Sequence, residues 1–184
     1  MLKVNFTPFP ILTTDRLVLR QFTNDDATEL FSLRTDDRVM KYIGRPRPNG
    51  MEDIFTLLEK MKKMVTDNDG VTWAMTLKGD PKLMGHISFH RLIKEHDRAE
   101  IGYMMHPDFF GQGIMSEALK ALLNYGFNTM GLHSIEAIAS PLNNASIKIL
   151  ERNGFIREAY FKENFCWEGQ YLDSVVYSLI APKK

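Results

Sequence analysis

From Ala99 to Lys120 the chain reads AEIGYMMHPDFFGQGIMSEALK, and its hydrophobic period changes partway. Residues 98–106 read as a strand. After residue 113, Met115, Ala118, Leu119 and Leu122 recur at the three- and four-residue spacing of a helix. Gly111-Gln112-Gly113 stands between the two. Glycines one residue apart let the backbone take positive φ and approach a ligand with no Cβ in the way. The first N–H groups of the following helix have no partner inside it, and its dipole favours an anion there. A phosphate or pyrophosphate suits such a turn. Ser116 occupies the place of the third glycine of a dinucleotide fingerprint, and no Lys-Ser/Thr pair follows, so this is neither that motif nor a Walker loop. A tight strand-to-helix turn with no ligand would give the same letters.

The rest of the chain supplies strands and helices without strict alternation. Residues 12–15 read as an entry loop and residues 16–22 as a strand anchored by Leu17, Leu19 and Phe22. Thr23-Asn24-Asp25-Asp26 caps a helix through about Arg34, and a short helical turn follows at 39–43. Residues 44–50, GRPRPNG, form a loop in which prolines and glycines forbid regular structure. A helix over 51–65 carries Ile54, Leu57, Leu58, Met61 and Val65 on one side. Strands follow at 71–77, 83–92 and 98–106. His86, Ser88 and His90 share a face by the two-residue period, read as solvent or cleft rather than metal, since no carboxylate or Cys completes a ligand set. The helix after the glycine turn runs over 113–128, with Glu117 in its first turn. A strand at 134–139 and a helix at 143–152 with Gly154 at its C-cap come next. An antiparallel pair at 155–161 and 170–180, joined by a loop at 163–169, closes a mixed α/β sheet.

Composition narrows the class. The 184 residues suit a single domain, 1–184, with a sizeable core. The 23 basic and 23 acidic residues cancel, so no global field draws nucleic acid or a membrane surface. No apolar run is long enough to span a bilayer and the N-terminus has no signal-peptide core. Cys166 is the only cysteine, which excludes an intrachain disulfide. A cytoplasmic protein is the expectation.

Asn143-Asn144-Ala145-Ser146 opening one helix, Asn153-Gly154-Phe155 closing it, the Glu100-Ile101-Gly102-Tyr103 strand and the Gly111-Gln112-Gly113 turn occur here in that family's order: the chain resembles the GCN5-related N-acetyltransferase (GNAT) family, most closely its ribosomal-protein N-terminal alanine/serine group. The likeness runs from about Thr14 to Leu179. It implies a twisted, mostly antiparallel sheet of about seven strands, splayed between the fourth and fifth, with about four helices. It implies acetyl-CoA as cosubstrate, no metal, and direct acetyl transfer to a primary amine, foremost a protein N-terminus such as that of a ribosomal protein. A small-molecule amine acceptor and a non-catalytic acyl-CoA-binding module are the rival readings. A monomer or homodimer is expected, with no nucleic-acid or membrane partner.

The resemblance also places residues. The backbone of Gly111, Gln112, Gly113, Ile114, Met115 and Ser116 is expected to hold the CoA pyrophosphate. Met104, Met105 and His106 are expected to line the cofactor, with amides near a bulge at Met104 and Met105 polarising the thioester carbonyl. Asn143 and Ser146 complete the cofactor contacts. Two departures stand out: Asp108 sits where the family often has Gln or Arg, and Leu150 sits where many members have an acidic tyrosine. Ser146, one helical turn from Leu150, is then the candidate to serve the departing thiolate, unless it only caps its helix. Glu158 is the first candidate for the base and Glu100 the second, both expected on strands bordering the splay.

Overall fold

The computed structural model describes residues 2–182. Its centre is one eight-stranded sheet in the order β1-β2-β3-β4-β5-β6-β8-β7. The strands are β1 (Leu12–Thr13), β2 (Leu17–Arg20), β3 (Val71–Leu77), β4 (Asp80–Ile93), β5 (Arg98–Met105), β6 (Ser134–Ala139), β7 (Ile156–Trp167) and β8 (Gln170–Ile180). The helices are α1 (Ala27–Thr35), α2 (Asp37–Met40), α3 (Met51–Thr66), α4 (Ile114–Asn124) and α5 (Asn144–Arg152). The eighth strand is β1, a two-residue pairing on β2 where a loop was expected. β7 and β8 run on to a tight turn, closing most of the expected 163–169 loop through Cys166↔Tyr171 and Trp167↔Gln170. α4 ends at Asn124, and a π-helical stretch, Tyr125–Met130, takes over.

Every pairing is antiparallel except β5 with β6. That parallel register covers Arg98↔Ser134 to Ile101↔Ala137 and then stops, while β5 continues to Met105 and β6 to Ala139. The two strands therefore part beyond Ile101. This is the expected splay. A parallel pair needs a crossover, and α4 is that crossover.

The sheet buries both faces. On one, Trp73, Met75, Ile87, Phe89, Ile101 and Ile135 pack with Met115, Leu119 and Leu122 of α4. On the other, Ala74 and Met104 meet Leu30 and Leu33 of α1 and Ile54 and Leu58 of α3. Strand alternation puts His86, Ser88 and His90 on this second face. α1 and α3 cover part of it, so Ser88 is buried and the ring nitrogens of His86 are shut away from solvent.

Candidate active site

The glycine turn has the conformation its sequence demands. Gly111 and Gly113 take φ of +76° and +75°, the left-handed region that L side chains avoid. A Cβ added at Gly111 would meet nothing within 4 Å, so the turn is open on its outer side. Gln112 closes it from within, its Nε2 donating to Asp108 O at 2.9 Å. No side chain caps α4, as none caps α1 or α3, whereas Asp36 caps α2 and Asn143 caps α5. Ile114 and Met115 are buried, so only their backbone N–H groups face the turn. The Ser116 hydroxyl accepts from Asn153 Nδ2 at 3.1 Å, linking the start of α4 to the end of α5.

A basic residue does stand beside this turn, brought there from far away in the chain. Arg16, just before β2, donates from Nη1 to Gln112 O at 3.0 Å, with its other terminal nitrogen 3.7 Å from where a Gly113 Cβ would lie. Its Nε meets Glu117 Oε2 at 2.6 Å. Glu117 also accepts from the Arg16 N–H at 3.0 Å and from Thr14 Oγ1 at 2.5 Å. These bonds overcome the effect of burial and hold the Glu117 carboxyl below the usual carboxylate range.

At the mouth of the splay, the expected bulge at Met104 and Met105 is absent. The β4–β5 register runs unbroken from Gly85↔Met105 to His90↔Glu100, and its irregularity lies between His90 and Ile93. The amide is presented another way. The His106 N–H donates to Met84 O at 2.7 Å, so by strand alternation the Met105 N–H and C=O point away from β4, into the gap β6 leaves. The Met104 and Met105 side chains are buried and take no part. The His106 ring contacts Asp108 Oδ2 at 3.3 Å.

Ser146 does not cap α5. Asn143 Oδ1 accepts the Ser146 N–H at 3.1 Å, which leaves the Ser146 hydroxyl free to meet Tyr103 OH at 2.7 Å. Tyr103 lies beyond the last β5–β6 pair and reaches across the splay to the first turn of α5. Burial raises its pKa to about 12, against a smaller lowering by Ser146. Leu150 is buried in the core.

The two glutamates are far apart. β8 inserts between β6 and β7, so β7 is the outer edge of the sheet and does not border the splay. Three strand spacings, about 14 Å, separate β7 from β5. Glu158 is exposed at a register irregularity, its Oε1 accepting from Ser178 Oγ at 2.6 Å. Glu100 is on β5 in the last stretch before the splay opens. His90 Nε2 lies 3.2 Å from Glu100 Oε1, and Arg91 Nη1 lies 3.3 Å from Oε2. His90 faces Glu100 as its direct cross-strand partner, and the β4 irregularity with a left-handed Arg91 (φ 49°) turns Arg91 to the same carboxylate. Gly102 makes room, since a Cβ there would sit 3.0 Å from His90 Cε1. Burial raises the Glu100 pKa, but the His90 hydrogen bond and the charges of His90, Arg91 and Arg45 outweigh it and hold the carboxyl below its ordinary value. His90 Nδ1 lies 3.5 Å from Ser88 Oγ, which donates to Gly102 O at 3.1 Å.

The arrangement gathers an uncapped helix end, an amide aimed into a split sheet, a hydroxyl pair across that split and a carboxylate–imidazole pair beside it. No group of three or more His, Cys, Asp or Glu suited to a metal occurs among the described residues. No helix there is long and apolar enough to cross a membrane.

The sequence profile of the acetyltransferase (GNAT) domain matches residues 16–156. The chain is 34% identical over 176 residues to the uncharacterized N-acetyltransferase YoaA of Bacillus subtilis, covering 96% of this chain and 99% of that one. It is 27% identical over 179 residues to the ribosomal protein uS5 alanine N-acetyltransferase of Escherichia coli, covering 93% and 91%. A ribosomal L7/L12 α-N-protein acetyltransferase, solved in complex with coenzyme A, superposes with a TM-score of 0.85 at 22% identity, covering 94% of this chain and 98% of that one.

Proposed function

The chain belongs to the GNAT family of N-acetyltransferases, and from that premise we propose that it moves an acetyl group from acetyl-CoA directly to the N-terminal amine of a protein, a ribosomal protein being the leading candidate. The observation that carries the CoA assignment is the uncapped start of α4 behind two left-handed glycines. Its free N–H groups and Arg16 suit a pyrophosphate, and Arg16 offers the positive charge that Asp108 lacks. The relatives with ribosomal-protein acceptors support the choice of amine.

Each remaining group has a task. The Met105 N–H, aimed into the splay, meets the negative charge that develops on the thioester oxygen. The amine nitrogen bonds to the carbonyl carbon as the carbon–sulfur bond breaks. Glu100, oriented by His90 and Arg91, takes the proton that the amine loses. A carboxylate held below its ordinary pKa is a weak base, which favours an acceptor that needs little help. An α-amine near ~8 is about one-tenth free at neutral pH, whereas a lysine near ~10.4 is free to less than about one part in a thousand. Ser146 and Tyr103 face the departing sulfur. Acetyl-CoA consumption measured against peptide N-termini, ribosomal proteins, lysine side chains and small amines tests the reading. Turnover confined to lysine would overturn the acceptor, and turnover of no amine would overturn the activity.

A further inference from the structure

Glu100 and Glu136 stand directly opposite each other in the parallel β5–β6 pairing, one residue before its last pair. Their side chains are only 14% and 17% exposed. Neighbouring strands lie about 4.8 Å apart, so two such carboxylates repel, and without a cation between them one would take up a proton. Arg91 supplies the cation. Its Nη1 lies 3.3 Å from Glu100 Oε2, and its Nη2 donates to Glu136 Oε1 at 3.2 Å. The other Glu136 oxygen, Oε2, accepts from Arg98 Nη2 at 3.1 Å. Glu136 thus has a guanidinium on each oxygen, and one of the two guanidinium groups joins it to the proposed base.

The backbone departs from regular geometry where this bridge is made. Between His90↔Glu100 and Ile93↔Arg98, β4 holds one residue more than β5. Arg91 lies in that stretch at φ 49°, a conformation that costs an L side chain energy. In a regular strand residue 91 would point to the face opposite His90. The Arg91 side chain is 59% exposed, and an exposed guanidinium held by one carboxylate alone is poorly fixed. The second carboxylate, on β6, fixes it. Glu136 is also the last side chain on its face of β6 that is level with β5, since the next one, Ile138, lies beyond the pairing. Around Glu100 stand His90 and Arg91 from β4, Glu136 from β6 and Arg98 from its own strand, and the charge of Arg45 reaches it from the loop between α2 and α3.

We propose that Glu136 is a positioning residue for acetyl transfer: it touches no reacting atom and acts by holding the Arg91 guanidinium against Glu100. The proposal rests on the reading of Glu100 as the base. Arg98 anchors Glu136 from the other side, so Arg98, Glu136, Arg91 and Glu100 form one alternating chain of charges across β4, β5 and β6, at the place where the sheet begins to open.

Wild type, Arg91→Gln, Glu136→Gln and the double variant form a cycle that tests it. Glu136→Gln should lower kcat, read on the pH plateau, by ~10-fold with the KM for acetyl-CoA unchanged. With Arg91 already replaced, the same change should cost less than about twofold, because Glu136 acts only through Arg91. Glu136→Asp keeps the charge but shortens the reach, and should lower kcat as Glu136→Gln does, which keeps the test open if the Gln variant fails to fold. Arg91→Gln leaves the two carboxylates facing each other. The Glu100 carboxyl, followed by carbon NMR, should then titrate ~1 pH unit higher, and the acid limb of kcat/KM should move up with it. In the double variant the repelling charge is gone too, and both should fall back by at least half. An equal loss of kcat from Glu136→Gln in both backgrounds, or no loss in either, would overturn the proposal. A Glu100 titration that follows the cycle while the acid limb stays still would sustain the charge chain and discard Glu100 as the base. A Glu100 titration identical in all four proteins would overturn the chain whatever the turnover.

Discussion

Replacing Ser146 by Ala removes a hydroxyl whose side-chain partner is Tyr103 OH at 2.7 Å, and leaves the cap of α5 to Asn143. The buried phenol is left with the Ser146 carbonyl at 3.5 Å, too long to satisfy it well. An unsatisfied buried hydroxyl costs roughly 2 kcal/mol, which lowers Tm by about 4–8 °C in a chain of this size. The kinetic effect has a separate source. Tyr103 titrates near 12, and an alkyl thiol near ~8.5, so complete proton transfer from the phenol to the departing thiolate is uphill by about 5 kcal/mol. In the proposed mechanism the hydroxyl pair would therefore stabilise the sulfur by hydrogen bonding, and its loss should lower kcat by ~10–100-fold while CoA affinity changes little. Tyr103→Phe keeps the ring and should cost a similar factor, and the double variant little more, since the two hydroxyls act as one unit. Stopped assays for free CoA, with the denaturation midpoint measured on the same samples, separate the two effects. Normal kcat in Ser146→Ala would refute the catalytic role, even if the midpoint fell.

Gly113→Ala places a Cβ at φ +75°, where the added atom meets only Arg16 at 3.7 Å; it should cost about 1–2 kcal/mol of stability and weaken CoA binding ~10-fold or more by calorimetry, through lost backbone approach. Unchanged CoA affinity would remove the turn from the cofactor site. Glu100→Gln should lower kcat by ~10²-fold or more, and Glu158→Gln by less than about twofold, with CoA binding intact in both; the reverse order would move the base to the sheet edge. The folded protein keeps His86 neutral down to about pH 3, whereas the unfolded chain takes up that proton below ~6.5, so the unfolded state binds more protons in between and stability must fall on acidification across that window, by no more than about 5 kcal/mol. Urea midpoints against pH should show a shallower acid limb in His86→Phe than in the wild type.

Much of this architecture is legible from local pattern. β3 and β6 coincide with the expected strands because turn residues bracket short apolar runs, and α3 keeps Ile54, Leu58 and Val65 buried at helical spacing. The turn at Gly111 and Gly113 follows from the glycines themselves. What escapes is whatever depends on sheet order. β8 lies between β6 and β7, so Glu158, close to the splay in chain order, ends on the outer edge. Tyr103 and Ser146 are 43 residues apart and meet only because β5 and α5 face each other across the gap. Arg16 reaches its turn from 96 residues away. The contact of Arg91 with Glu100 depends on a β4 irregularity that the residue pattern does not announce.

The Glu117 carboxylate has a bearing on the chain as a whole. It fastens Thr14 and Arg16 to the first turn of α4, closing a loop of about a hundred residues through one side chain. Loops of that length cost entropy to close, so such a contact forms late and opens early. The rigidity of the glycine turn is thus borrowed from the beginning of the polypeptide. A nascent chain released up to β5 has the strands but nothing to hold the turn's guanidinium in place. Ligand binding at the turn and docking of the N-terminal strands are then one cooperative event, so that occupancy by the nucleotide end of a cosubstrate would protect residues far from it in sequence.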